Sequence, residues 1–447
     1  MTPVDDVIAY LQSEGVDAVM GTMVGTSGLT HAKIVPIWRT GAFADPGLGG
    51  SPVFHVFGID RTGIAFTDDF SVVGDERIRI DLSALRAIGN GLAWAPASFF
   101  DQDGNPIPTC SRGTLERVET RLAESGLRAL VGHEIEFLLV DPDGNRLPGN
   151  VWAQYGVAGV LEHEGFVRGV MAAASAAGVG IEQFHPEYGE NQFEISLSPM
   201  SPVAAADQLV LARLIISRVA REFGMRVSLS PVPFAGSVGS GAHQHFSLLR
   251  GETPLFSGGF GAHWMTAEGE AAIAGIVDGL AEAQLALCGS IVSGLRMKPG
   301  SWAGAFTCWG VENREAAVRF LHVGHGNPYG ANAEVKVVDP SSNPYLATAA
   351  ILGLALDGIA RQAPLPPEVT LDPATLTKGE RKAAGVKRLS NRQSDVIEAF
   401  ERSERMKSIL GDSVAKALVA VRRYEHDNYS TLDAQQLSDK FRMAWSL

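Results

Sequence analysis

Cysteine is scarce in this chain. Cys110, Cys288 and Cys308 are the three among 447 residues, and no two form a CxxC pair. Such an odd, sparse set excludes a disulfide-stapled scaffold and fits a reducing compartment. Positive charge is also in short supply. Lys and Arg number 37 against 50 Asp and Glu, a formal net charge of −13, which argues against non-specific nucleic-acid binding. Local arginine clusters can still grip phosphates in an acidic protein. The opening segment "MTPVDDVIAYLQ" is acidic and lacks a basic stretch followed by an apolar one, so no signal peptide is expected. The longest apolar run, "LATAAILGLAL", is stopped by Asp357, short of the roughly 20 residues a bilayer demands. No membrane association and a cytoplasmic location are therefore expected.

Apolar residues make up 45% of the chain, enough for a sizeable core. The length exceeds one ordinary core, so two domains are expected. Residues 4–14 read as a short amphipathic helix. From Asp17 to about Ile88 the chain is strand-like, punctuated by the turn signals "GTSG", "DPGLGGSP" and "DRTG". The polar passage "FFDQDGNPIP" (Phe99 to Pro108) is the best boundary, dividing residues 1–105 from 106–447. Beyond it "SRGTLERVETRLAESGL" predicts a helix with Leu115, Val118 and Leu122 on one face, ending near Gly126. "SPVAAADQLVLARLIISRVAREFG" predicts another, with Ser201 as cap, Pro202 in the first turn and Gly224 as stop. "TAEGEAAIAGIVDGLAEAQLALC", the segment after Asn343-Pro344 and most of the last 60 residues are also helical.

The chemistry is carried by carboxylates in apolar strands. In "VGHEIEFLLV", Glu134 and Glu136 are two apart, so both point to one face of a strand that otherwise reads as buried. Like charges there are costly unless a cation meets them. "GIEQFHPEYGENQFEISLSP" adds Glu182, His185, Glu187, Glu190 and Glu194, with Gly189 and Asn191 suggesting a hairpin that brings Glu187 near Glu194. "GSVGSGAHQHFSL" sets His243 and His245 on one face, and "NAEVKVVD" gives Glu334 and Lys336 the same spacing. Glu134, Glu136, Glu187, Glu194, Glu334 and His243 form a hard-ligand set that suits Mg²⁺ or Mn²⁺ better than zinc. So many carboxylates fit two or more ions bridging phosphates. Arg296, Lys298, Arg314 and Arg319 supply cations that can clamp phosphate.

These motifs, "GHEIEF", "HPEYGENQFE", "GSGAHQHFS", "NREAAVRF" and "AEVKVVDPSSNPYLATAAIL", resemble those of the glutamine synthetase family in the same chain order. The resemblance implies an α+β fold: a small N-terminal β-grasp domain, then a large catalytic domain with a curved antiparallel sheet and flanking helices. It implies ATP and two or three Mg²⁺ or Mn²⁺ ions per site. Glu136, Glu187 and Glu194 match the ligands of the ion near glutamate and amine, and Glu134, His243 and Glu334 those of the ion on the nucleotide. His245, Ser247 and Glu182 fall to the nucleotide, Gly239 and Arg296 to glutamate, and Arg314 and Arg319 to the transferring phosphate. Asp60 aligns with an aspartate that crosses the subunit interface to deprotonate ammonia, and Tyr155 with a tyrosine lining the ammonium site. Family members form hexameric rings, usually stacked as dodecamers, with active sites between subunits.

The chain departs from that pattern at instructive places. Where the family carries a flap glutamate in a "GYEAP"-like stretch, this chain has "GSWAG", so Trp302 replaces the carboxylate; Trp309 follows seven residues on. An anionic flap suits ammonium, whereas an indole suits a nitrogen bearing carbon. "GSWA…WG" also resembles the branch that ligates glutamate to organic amines. Lys336 replaces an arginine gripping the glutamate carboxylate, Asn332 another near the phosphates, and Val238 an asparagine. The tyrosine-bearing adenylylation segment of bacterial members is not visible, so no such regulation is expected. The expected activity is a glutamate–amine ligase acting through γ-glutamyl phosphate, with Asp60 or Glu187 removing the amine proton. Alkylamines, ethanolamine, polyamines and anilines all remain open. The rivals are an ammonia-using glutamine synthetase and a non-catalytic ring-forming scaffold.

Overall fold

The computed structural model describes residues 3–148, 152–327 and 330–447. Alternation of apolar and polar side chains builds two sheets. The first contains β1 (Ala18–Val24), β2 (Thr30–Pro36), β3 (Leu48–Gly50), β4 (Glu76–Ile80), β5 (Arg86–Ala87) and β6 (Leu92–Phe100), in the order β2-β1-β6-β4-β3 with β5 also on β6. The β1–β6 pair is parallel and the others antiparallel. Leu11 of helix Pro3–Ser13 and Phe43 of helix Thr40–Ala44 join Val19, Ile78, Ala95 and Phe99 in one apolar cluster.

The second sheet contains β7 (Leu127–Val140), β8 (Ile181–Pro186), β9 (Gln192–Leu197), β10 (Arg226–Ser228), β11 (Gln244–Arg250), β12 (Thr253–Pro254), β13 (Phe306–Val311), β14 (Ala316–Leu321) and β15 (Asn332–Val335). Its order is β13-β14-β15-β11-β7-β9-β8, with β10 on β7 and β12 on β11. Pairing is antiparallel except between β13 and β14. Strand β7 shows why this sheet has a chemical face. Val131, Ile135, Phe137 and Leu139 are buried in the main core, which leaves Glu134 and Glu136 on the opposite side.

Helices back that core. Ser111–Glu124, Pro202–Glu222 and Pro344–Ala360 form where the sequence places helices, although the side chain of Ser201, the expected cap, makes no capping hydrogen bond. Asn343 caps the last of these by accepting the N–H groups of Tyr345 and Leu346. Its amide also donates to the carbonyls of Val24 (3.0 Å) and Gly25 (2.9 Å), tying the helix to the first sheet. Helix Ala267–Cys288 is long and apolar enough to cross a membrane by length and composition, but most of it is buried inside the protein. It lies so close to Pro344–Ala360 that a Cβ on Gly275 would come within 2.3 Å of the Leu354 carbonyl oxygen. Only glycine permits that approach.

Candidate active site

The polar face of the second sheet forms the wall of a cavity of about 1160 Å³. Sheet register does the positioning. Glu136 pairs with Glu194 across β7 and β9, and His185 with Glu194 across β8 and β9. His245 pairs with Glu334 across β11 and β15, and Arg319 with the same Glu334 across β14 and β15. Cross-strand neighbours have Cβ atoms about 5 Å apart, so acidic and basic groups far apart in sequence become one cluster. The tight turn at Gly189 and Asn191, the latter with φ of 59°, closes the β8–β9 hairpin.

His243 Nδ1 lies 3.2 Å from Glu134 and 3.4 Å from Glu334, and its Nε2 lies 3.9 Å from Glu136. His245 Nε2 is 3.4 Å from Glu134, and its Nδ1 is 2.8 Å from Asn332 Oδ1. Glu334, 2% exposed, is met by Lys336 at 3.0 Å and Arg319 at 3.2 Å. Arg296 Nη2 donates to the Lys336 carbonyl and approaches His243 Nε2 at 3.3 Å. His185 lies 3.2 Å from Glu187 and 3.7 Å from Glu194. Gln192 donates to Glu136 at 3.1 Å and to the Gly239 carbonyl at 3.0 Å.

The electrostatics split these carboxylates into two kinds. Burial, reinforced by the charges of Glu134, Glu136, Glu187 and Glu334, pushes Glu194 well above the usual carboxylate range. Burial acts the same way on Glu134, but there the imidazoles of His245 and His243 prevail and hold it well below that range. Glu334 overcomes its burial through Lys336 and the two histidines and is lowered to about 2. His245 is raised to about 9 by Glu134 and Glu334 despite its burial. Burial and then Glu187 push the Tyr155 hydroxyl up to about 12.

The donor set fits divalent cations. Three groups have ligand atoms within 4.8 Å of one another: Glu134, Glu194 and His243; Glu134, His245 and Glu334; and His185, Glu187 and Glu194. Carboxylate oxygens with one imidazole suit Mg²⁺ or Mn²⁺, and the repelled carboxylate of Glu194 is a position that positive charge would relieve.

Of the residues singled out in the sequence, Tyr155, Glu182, Ser247, Gly239, Arg296, Trp302, Arg314, Arg319 and Lys336 all line this cavity with the six ligand candidates. Asp60 lines a second cavity of about 190 Å³. There it accepts hydrogen bonds from the hydroxyls of Tyr424 (2.7 Å) and Tyr429 and from the N–H groups of Thr62 and Gly63. Burial opposes these bonds, but they hold its carboxyl below the ordinary range. Trp309 does not join Trp302 at the cavity, where two indoles would have suited an aromatic amine. It is buried against His263 and Phe320, and its indole N–H donates to the Pro366 carbonyl. Trp302 has different company. Tyr188, Tyr155 and Trp302 are about half exposed at the same cavity. Sequence reasoning gave no role to His185, Gln192 or Tyr188; their crowding into "HPEYGENQ" beside the hairpin glutamates was the available signal.

Residues 108–439 match the family model described as glutamine synthetase, catalytic domain. Among curated proteins the chain is 38% identical to the γ-glutamylpolyamine synthetase GlnA3 of Streptomyces coelicolor over 97% of this chain and 94% of that one. It is 30% identical to a glutamine synthetase of Mycolicibacterium smegmatis over 83% of this chain and 87% of that one. The crystal structure of a novel glutamine synthase homolog superposes with a TM-score of 0.85 at 26% identity, covering 96% of this chain and 99% of that one. A complex of GmaS with ADP shares the fold, with a TM-score of 0.84 at 23% identity over 96% of this chain and 97% of that one.

Proposed function

The chain belongs to the glutamine synthetase family and is a ligase, and from that premise we propose that it joins the γ-carboxylate of glutamate to an organic amine at the expense of ATP. The observation that carries the choice of amine is Trp302, half exposed at the cavity mouth where the family pattern has a flap glutamate. An indole cannot pair with ammonium as a carboxylate does, but it offers a ring face and apolar surface to an alkylated nitrogen. The name of the 38% identical relative, a γ-glutamylpolyamine synthetase, supports the same choice.

Glu136, Glu187 and Glu194 would hold one divalent ion, with His185 beside Glu187 and Glu194, and Glu134, His243 and Glu334 another, with His245 beside Glu134 and Glu334, while Glu194 also comes within reach of Glu134 and His243. When bound, Mg²⁺ or Mn²⁺, two or three per site, would supply positive charge to the phosphates and carboxylates. Arg296 and Lys336 bind glutamate, and Gly239 lines its place; His245, Ser247 and Glu182 bind the nucleotide. A γ-carboxylate oxygen bonds to the terminal phosphorus of ATP as the bond to ADP breaks. Arg314 and Arg319 neutralise the charge spread over the transferring group. The amine nitrogen then bonds to the acyl carbon, and phosphate leaves with its electron pair.

An aliphatic amine, with a pKa near 10.4 like lysine, arrives protonated and must lose a proton first. Glu187, beside Tyr155 and His185, is the favoured acceptor. Asp60 would serve only from an adjacent subunit, and its hydrogen bonds to Tyr424 and Tyr429 make it a weak base. Hexameric rings stacked as a dodecamer, working in the cytoplasm, complete the proposal. Light scattering of the purified protein checks the ring.

The test is phosphate release with ATP, Mg²⁺ and glutamate while the nitrogen donor is varied over ammonium, methylamine, isopropylamine, ethanolamine, putrescine and aniline. The expected result is preference for an organic amine, with the γ-glutamyl amide identified by mass spectrometry. Preference for ammonium would contradict the reading and make Trp302 a packing residue.

A further inference from the structure

Trp302 sits in a loop with unusual backbone. Gly300, Trp302 and Gly304 all have positive φ, at 74°, 52° and 66°. A bulky residue keeps a left-handed conformation only where its surroundings impose it. Two neighbours impose it here. From below, Glu315 accepts the Trp302 N–H at 2.8 Å on one carboxylate oxygen and the Gly300 N–H at 3.3 Å on the other. Glu315 is 8% exposed, and a buried carboxylate is costly unless such bonds hold it. From the front, the Tyr188 ring meets the indole edge to face, with centroids 6.3 Å apart and planes at 68°.

Tyr188 is in turn fixed to the chemical centre. Its backbone N–H donates to Glu187 Oε2 at 2.8 Å. His185, 3.2 Å from Glu187, carries the Tyr155 ring stacked on it, with centroids 5.8 Å apart and planes at 26°. Three half-exposed rings therefore surround the approach to one carboxylate. Ring faces attract alkylammonium cations, and ring surfaces shelter methylene groups from water.

Building on the ligase reading, we propose that Glu315 and Tyr188 are positioning and specificity residues for the amine. They hold the Trp302 indole as the outer wall of a slot, completed by Tyr155, that takes the carbon chain of a protonated alkylamine and presents its nitrogen to Glu187. Ammonium has no carbon chain to shelter, so it gains only the attraction of the ring faces and not the apolar contact. Glu315 bonds the loop N–H groups of Gly300 and Trp302 and acts through Trp302, whereas Tyr188 and Trp302 meet the amine.

The experiment compares the wild-type enzyme with Y188A, Y188F, W302A, E315A and E315Q. It measures kcat and KM for amines from methylamine to butylamine, for putrescine and for ammonium, each at saturating ATP, glutamate and Mg²⁺. The KM values for ATP and glutamate are measured alongside. The expected result is that Y188A, W302A and E315A raise the KM for butylamine about tenfold. Those for ATP and glutamate should stay within about twofold, which also shows that the variants are folded. Y188F keeps the ring and should recover most of the butylamine KM that Y188A loses. E315Q keeps one acceptor for two N–H groups and should fall between wild type and E315A. Unchanged butylamine KM in Y188A and E315A, with wild-type amine turnover intact, would overturn the slot alone. An equal rise in the glutamate KM would also overturn it, since a general loss of structure would do that. A wild-type enzyme that uses no amine at all would overturn the ligase reading and the slot with it.

Discussion

Replacing Glu194 with Gln should change the sign of its effect on stability when a divalent ion is added. Glu194 is buried among four other carboxylates, and burial and their charges raise its pKa. An acid with a raised native pKa binds protons more tightly folded than unfolded. Its stabilising contribution therefore declines as pH rises from the ordinary carboxylate range through the raised value. Without ions, keeping Glu194 ionised costs stability as pH rises, and Gln removes that cost. In chelator the Glu194→Gln protein should melt at a higher temperature than wild type. With Mn²⁺ the carboxylate becomes a ligand, and an ion at one hundred times its Kd adds about 2.7 kcal/mol. Unfolding entropy near 2.1 cal/mol/K per residue, taken over 447 residues as one cooperative unit, makes that a rise of about 3 °C in the wild-type Tm. The variant should gain less. Protons compete with the ion for Glu194, so the wild-type rise should be larger at pH 8 than at pH 6. Calorimetry in EDTA and in Mn²⁺ at both pH values measures all four terms. A variant less stable than wild type in EDTA, with no Mn²⁺-induced rise in either protein, would refute the reasoning.

Trp302→Glu restores an anionic flap and should shift preference from organic amine toward ammonium, read as the ratio of the two kcat/KM values. Lys336→Met leaves Glu334 without its nearest cation in a site where both groups are almost fully buried. It should cost about 3–5 kcal/mol by urea denaturation in the absence of ions, and abolish most of the glutamate-dependent turnover. His31 is held neutral by burial, its pKa lowered to about 4, and it packs against Phe54 and Phe57. The unfolded chain binds its proton more readily, so stability should be lost as pH falls from about 6.5 toward 4, by roughly 3 kcal/mol in all. His31→Phe should flatten that part of the stability–pH curve.

Local chemistry made much of the site readable in advance. The spacing of Glu134 and Glu136 in an apolar strand fixed their shared face, and Gly189 with Asn191 marked the hairpin that carries Glu187 and Glu194. Ser201-Pro202 and Asn343-Pro344 marked the starts of two core helices, and of the two only Asn343 caps with its side chain. What escaped was set by long-range register. Nothing local says that His185 will face Glu194, or that Glu315 will hold the N–H groups of Gly300 and Trp302. Trp309 misled because a count of seven from Trp302 says nothing about facing once the chain enters β13, where its indole turns into the core. Asp60 lies in an Asp-x-x-Gly turn whose N–H groups bond its own side chain, a pattern that a turn signal alone explains.

The most direct test follows oxygen. Glutamate labelled with ¹⁸O in its γ-carboxylate is supplied with ATP, Mg²⁺ and the preferred amine, and the released phosphate is examined by mass spectrometry. A γ-glutamyl phosphate passes one carboxylate oxygen to phosphorus, so the account predicts one ¹⁸O in each phosphate and a γ-glutamyl amide that has lost one. Phosphate free of ¹⁸O, with ATP consumed at the same rate, would contradict it.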